Sequence, residues 1–255
     1  MHRGNVQDLY LTHTELKELA KSHPSNKLLH GRGQPGTHDI DLGRRCLKDL
    51  LQINSTKKPV QLPVFDKSQH EGEGDRSAET VTVSAPLDVV LFEGWCLGFG
   101  AIGTSELNRR RERAEYGGGK AAKGPYYLTH SLESLKEIDV RLGKYEAQWY
   151  PLLDAFVQLR PVVASSSSTQ ADSTKPDAAA LENVFQWRLE AEHAMKATNG
   201  GKGMTDQQVR TFVERYMPGY ELFSEYVVSP RAPWHGQGLR IDIDRSRALV
   251  NSSRF

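Results

Sequence analysis

The sequence predicts an α/β protein, a mostly parallel sheet with helices packed on its faces. Three observations carry that expectation. Helical and strand-like periodicities alternate along the chain. The most apolar strand candidate, 87–92, is a continuous Leu-Asp-Val-Val-Leu-Phe run ending at Glu93-Gly94, the form of a strand buried on both faces. Two later segments, 155–159 and 239–243, repeat that short apolar run.

Segment 12–23 has the pattern of a helix, with Thr14 able to cap it and Leu16, Leu19 and Ala20 on one face. A glycine-rich turn follows from Gly31 to Asp39. The next helix carries Leu42, Cys46, Leu47, Leu50 and Leu51 at helical spacing. Segments 60–65 and 80–84 have strand character and are separated by a polar loop, 66–76. Segment 178–197 sets Leu181, Val184, Phe185, Leu189 and Ala191 near one helical stripe. Thr205-Asp206-Gln207-Gln208 has the form of a capping box, and Val209, Phe212, Val213 and Tyr216 follow before Pro218 stops the helix. Two further segments, about 105–125 and 164–176, are charge-rich and Ser/Thr-rich and are expected to be mobile surface inserts in one domain spanning 1–255.

Composition narrows the function. Lys and Arg total 33 against 32 Asp and Glu, a net charge of +1, so the basic excess that marks a nucleic-acid partner is missing. Cys46 and Cys96 are the only cysteines and have no metal-type spacing, which fits a reduced, cytoplasmic setting. The longest apolar run, 89–99, is interrupted by Glu93 and is too short to span a bilayer, and the first eight residues are polar rather than signal-like. No membrane or nucleic-acid partner is expected.

Two glycine motifs invite a nucleotide-binding reading. Gly98-Phe99-Gly100-Ala101-Ile102-Gly103 matches G-x-G-x-x-G, but Arg109-Arg110-Arg111 follows where a second strand ending in a ribose-binding acid is required. Gly117-Gly118-Gly119-Lys120 is followed by Ala121, not the hydroxyl residue that a phosphate loop offers to magnesium. The nine histidines form no H-E-x-x-H pair, and no G-x-S-x-G elbow is present.

Several longer blocks carry more weight together. They are Asp8-Leu9-Tyr10-Leu11-Thr12, Arg32-Gly33-Gln34-Pro35-Gly36-Thr37-His38-Asp39, Leu62-Pro63-Val64-Phe65-Asp66-Lys67, and Gly72-Glu73-Gly74-Asp75-Arg76. Glu93-Gly94-Trp95-Cys96-Leu97-Gly98-Phe99, Trp187-Arg188-Leu189-Glu190, and Gly203-Met204-Thr205-Asp206 complete the series. In this order the chain resembles the D-glycerate 3-kinase family and its fungal ATP-dependent kinase-like relatives. More distantly it resembles uridine kinase, phosphoribulokinase and bacterial pantothenate kinase.

The resemblance implies a P-loop-kinase-type, three-layer fold and phosphoryl transfer from Mg-ATP to a small hydroxylated acceptor such as glycerate. ATP and Mg2+ are the implied cofactors. By the same resemblance Asp8, Glu93 and Arg188 are catalytic, Glu93 being the magnesium-side acid and Arg188 a nucleotide-side lid arginine. Arg32, His38, Asp39, Asp66, Lys67 and Arg76 are implied to bind the acceptor. Each has a plainer alternative: Glu93 capping its turn, Asp39 capping the next helix, Arg188 pairing with Glu192 four residues on.

Two departures qualify the resemblance. The family places a strand, G-x-x-x-x-G-K-[ST] and a helix ahead of the Asp-Leu-Tyr block, and this sequence lacks that unit. Relatives read Asp-Asp where this chain reads Gln7-Asp8, and glutamine cannot serve as a base. A truncated gene model explains both departures; a non-catalytic kinase remnant that binds a partner is the alternative. Without the missing strand, two strand edges and much apolar surface are expected to be exposed, so the chain should fold poorly unless a partner supplies it.

Overall fold

A computed structural model of the chain describes residues 1–116, 124–163, 177–198, 200–201 and 203–255. The Gly117–Lys120 run and segment 164–176 lie outside the described residues. In chain order the elements are β1 (His2–Asn5), α1 (His13–Ser22), α2 (Ile40–Thr56), β2 (Val60–Asp66), β3 (Asp75–Val83) and β4 (Val90–Glu93). Then come α3 (Thr104–Tyr116), α4 (Leu132–Gln148), β5 (Phe156–Pro161), α5 (Ala178–Thr198), α6 (Asp206–Glu214), α7 (Met217–Phe223), β6 (Gly238–Ile243) and β7 (Leu249–Arg254). The α/β class is as expected. The chain divides into two compact units, Met1–Leu97 with His130–Leu153, and Gly98–Thr129 with Asp154–Phe255. No described helix is long and apolar enough to cross a membrane.

In the first unit β1 pairs in parallel with β4, Asn5 lying opposite Glu93, and β2 pairs antiparallel with β3. The opening residues, read as polar and featureless, therefore form a strand. α2 covers the hairpin: Cys46, Leu50 and Ile53 pack on Val60, Leu62 and Val83. Each such buried aliphatic contributes about 1.5–3 kcal/mol. Leu51 belongs to a different face and is 53% exposed. α2 passes so close to Trp149 that a Cβ on Gly43 would lie 2.6 Å from the indole. α1 is capped by Thr12 in a reciprocal box with Glu15, two residues ahead of the expected Thr14.

In the second unit β5 pairs in parallel with β6, and β6 pairs antiparallel with β7. Beneath these strands Arg160 and Asp242, directly opposite in the ladder, form a buried two-bond ion pair at 2.7 and 2.8 Å. α5 and α6 share an apolar core of Leu181, Phe185, Val209, Val213 and Met217. Thr205 and Gln208 make the expected capping box. Pro218 does not end α6; it stands in the first turn of α7, where a missing N–H costs nothing.

Three expectations need correction. Segment 104–116 is the helix α3, not a loop: Arg110 and Arg111 pair with Glu106 and Glu115 at helical spacing, and Leu107 is buried. The run 87–92 yields only the four-residue β4, on which Leu91 is 45% exposed, and Val89, just before it, is 53% exposed. On β5, Val157 and Leu159 are 54% and 64% exposed. Continuous apolar runs look doubly buried in sequence, yet in each unit one face of these strands is uncovered among the described residues.

Candidate functional site

The best-ordered group of candidate residues lies in the first unit, where β1 ends. Asn5 caps a 3-10 turn over Val6–Leu9 by accepting the Gln7 N–H at 2.8 Å. Asp8, on that turn, accepts the Phe65 N–H at 3.1 Å and so ties it to β2. Asp8 also edges a cavity of about 90 Å³ beneath α2, whose walls are mostly apolar side chains such as Leu9, Leu47, Leu62 and Phe92. The chain then pairs with the end of the glycine turn: the Asp39 N–H donates to Leu9 O at 2.7 Å, and Leu11 N to Thr37 O at 2.9 Å.

The 31–39 turn holds Gly31, Gly33 and Gly36 at positive φ, and a Cβ on Gly36 would fall 2.1 Å from Arg141 Cδ. Its anchor is Tyr145 on α4. The Tyr145 hydroxyl accepts the Gly36 N–H at 3.1 Å and lies 2.7 Å from His38 Nδ1. One proton joins the hydroxyl and Nδ1, and burial keeps the imidazole neutral. Burial pushes His38 down to about 3, away from the protonation that would let it hold an anion. Tyr10 stacks on its ring at 4.4 Å. His38 thus shapes the turn from within: it is 4% exposed.

Asp39 caps α2, its Oδ1 accepting Leu42 N at 2.9 Å, the plainer role weighed for it. Its Oδ2 nevertheless lies 3.5 Å from Arg76 Nη2, which donates to Tyr10 O at 2.7 Å. Asp8, Asp39 and Arg76 are therefore gathered around the Tyr10 backbone and the β2–β3 ladder, in which Phe65 faces Arg76. Arg32 takes another role. Its Nη1 donates to the carbonyls of Gly72, at 2.7 Å, and Glu73, and its guanidinium lies 5.8 Å over the Phe65 ring. It fastens the loop between β2 and β3.

α1 fastens the same loop. Glu73 binds His13 Nε2 at 2.6 Å and Lys17 Nζ at 2.7 Å, and Asp75 accepts the His13 N–H at 2.8 Å. Lys17 first, then His13, hold the Glu73 carboxyl below its ordinary range; the His13 N–H does the same for Asp75. His70 stacks on His13 with ring centres 3.8 Å apart. Asp66 turns back on Ser68, whose hydroxyl at 2.6 Å holds its carboxyl below the ordinary range, and Lys67 is exposed. His13, Glu73, Asp75 and Tyr145 were missed in sequence because they act through partners 56 to 109 residues away. No spacing rule reaches that far.

Glu93 ends β4 and pairs with Arg3 at 3.1 Å, its side chain one-third exposed. No described group of three His, Cys, Asp or Glu could hold a metal by itself. Magnesium needs only one or two carboxylates beside waters and phosphate oxygens, and a single accessible acid at a strand's end fits that habit. In the second unit Arg188 donates to Glu192 at 2.8 Å, as its plainer alternative had it, and sits 5.6 Å over Phe212. Glu192, however, is only 1% exposed, and its other oxygen accepts Met204 N at 2.8 Å. The G-x-G-x-x-G glycines are explained by packing: a Cβ on Gly98 would meet Phe156 at 2.5 Å and one on Gly100 would meet Tyr226 at 2.2 Å.

No family model matches the chain. The probable ATP-dependent kinase TDA10 of Saccharomyces cerevisiae is 31% identical over 254 residues, 98% of this chain and 75% of that protein. The chloroplastic D-glycerate 3-kinase of Arabidopsis thaliana is 31% identical over 248 residues, covering 95% of this chain but 46% of the plant protein. Among solved structures, D-glycerate 3-kinase from Cryptococcus neoformans superposes with a TM-score of 0.88 at 41% identity, covering 99% of this chain and 79% of that one.

Proposed function

The chain belongs to the D-glycerate 3-kinase family of ATP-dependent kinases, and from that premise we propose that it serves phosphoryl transfer from Mg-ATP to a small hydroxylated acceptor such as glycerate. The observation that carries this reading is the gathering of Asp8, Asp39 and Arg76 where β1 ends, on a scaffold fixed by Arg32, His38 and Tyr145. A cation and two carboxylates at the carboxyl end of a parallel strand suit a small ligand that is both hydroxylated and anionic. Asp8 uses one oxygen on Phe65, and its second oxygen is the base in this reading, because Gln7 cannot take a proton.

Magnesium, when bound, neutralises the charge of the transferred group, and Glu93 is the side chain that would hold it or its waters. Arg188 would lend positive charge to the phosphoryl group, and Glu192 fixes its guanidinium meanwhile.

The 255 residues contain no G-x-x-x-x-G-K-[ST]. In the proposal the phosphate cradle comes from a strand and helix that these residues do not include. Exposed Leu91 on β4 and Val89 just before it support this, as do exposed Val157 and Leu159 on β5. Each strand has one paired edge among the described residues and an apolar surface that a further element would cover. A second reading, a non-catalytic remnant that binds a partner, is favoured by the same missing motif and by Gln7. A thermal titration with Mg-ATP separates the two: a rise in Tm with nucleotide supports the kinase, and a flat response supports the remnant.

A further inference from the structure

Beneath α2 the first unit holds a void of about 90 Å³. Folded interiors leave few spaces larger than one water, so a space of this size needs a cause. The cause lies in the topology. Among the described residues β1 pairs only with β4 and β2 only with β3, so two separate two-stranded sheets meet without a ladder between them. His2–Asn5 line one side of the void, Leu62–Val64 line another, and Cys46, Leu47 and Leu50 of α2 roof it. The roof cannot settle inwards. Gly43 already lies against the Trp149 indole, and Leu50 and Ile53 rest on the hairpin at Val60 and Val83. The Asp8–Phe65 bond ties the turn after β1 to β2. A space propped in this way stays open instead of collapsing.

The walls are mostly aliphatic side chains and the Phe92 ring; the hydrophilic side chains among them are His2, Arg3, Asn5 and Asp8. Asn5 spends its side-chain oxygen on Gln7 N, and Arg3 spends its guanidinium on Glu93. Asp8 gives one oxygen to Phe65 N, and no described residue takes the other. We propose that this void is a binding site for a short-chain alcohol, with the chain under α2 and the hydroxyl donating to the second oxygen of Asp8. An ammonium would have to shed its water to enter such walls, so a neutral hydroxyl is the donor that fits. An engineered cavity of about 150 Å³ takes the six carbons of benzene, so one of about 90 Å³ takes about four. The assignment does not rest on phosphoryl transfer and needs no nucleotide.

The test is an NMR titration of the 255-residue chain, without nucleotide, with straight-chain primary alcohols. It is read at the methyls of Leu47 and Leu62, which line the void, and of Leu142 on α4, which does not. Shifts at Leu47 and Leu62 should saturate while Leu142 stays still. Each added methylene should tighten binding about fourfold from ethanol to 1-butanol. The gain should end by 1-hexanol, whose chain outgrows the void. Butyrate, whose carboxylate Asp8 repels, should bind at least about tenfold more weakly than 1-butanol. Leu47→Phe, which fills the void, should abolish the saturable shift at Leu62; the alcohol series on the unaltered chain decides the matter should the variant misfold. Shifts that never saturate, shifts shared by Leu142, affinity that climbs unbroken past 1-hexanol, or butyrate bound as tightly as 1-butanol would overturn the assignment.

Discussion

His38 makes the first unit acid-sensitive in a range where carboxylates are silent. Its imidazole is buried between Tyr10, Tyr145 and Trp149 and held neutral, with its pKa lowered from 6.5 to about 3. In the unfolded chain it takes up a proton below about pH 6.5, so the unfolded state binds more protons there and stability falls as pH falls. Each pH unit below that point removes about 1.4 kcal/mol, so acidification from about pH 7 to about pH 5 should cost about 2 kcal/mol through this residue alone. Acidic groups in the unfolded chain titrate mostly lower, near pH 4. Urea unfolding across this range, followed by the fluorescence of Trp149, whose ring lies 6.2 Å from the imidazole, reads the effect. His38→Asn will lower stability at every pH but should flatten the dependence. An unchanged slope in the variant, or an imidazole that titrates near its ordinary value in the folded protein, would refute the account of the turn.

Three other outcomes follow from the geometry. Tyr145→Phe strips the part-buried Gly36 N–H and the buried His38 Nδ1 of their shared partner and should destabilise by about 2–4 kcal/mol in denaturant melts. Asp242→Asn leaves the buried Arg160 uncompensated at a cost of about 3–5 kcal/mol, whereas replacing both by apolar residues of similar volume should recover most of that loss. Arg3→Ala should change stability by less than about 0.5 kcal/mol, the pair being exposed, yet tighten Mn2+ binding at Glu93 as measured by water-proton relaxation.

What sequence could and could not convey follows from the range of each interaction. The α6 box was legible because Thr205 and Gln208 are three residues apart and satisfy each other's backbone. Thr12 and Thr14 offered the same chemistry at α1, and only the reach of Glu15 back to the Thr12 N–H decides between them. α4 escaped notice although Leu135, Ile138, Leu142 and Tyr145 follow helical spacing behind the Ser131 cap. Its charged residues masked the stripe. Family resemblance offered the candidate site residues as a set, but not how each is held. Arg32 and Arg76 look alike in a motif. The structure commits one to loop carbonyls and leaves the other a buried, unspent donor, a distinction made by Gly72, Glu73 and Tyr10 across the fold. The apolar runs of β4 and β5 misled for a converse reason, since hydrophobicity reports what a strand can bury and not what covers it.

The central claim, a kinase chain with an acceptor site and a lid arginine but no phosphate cradle of its own, is tested most directly by ATP-dependent phosphorylation of D-glycerate. The measurement compares the 255-residue chain with the same chain fused behind a strand, G-x-x-x-x-G-K-[ST] and helix unit. The account predicts product from the fusion alone. Product from the unfused chain would show that the phosphate site lies within these residues, and a folded but inactive fusion would show that the gathered residues at the end of β1 no longer serve a kinase.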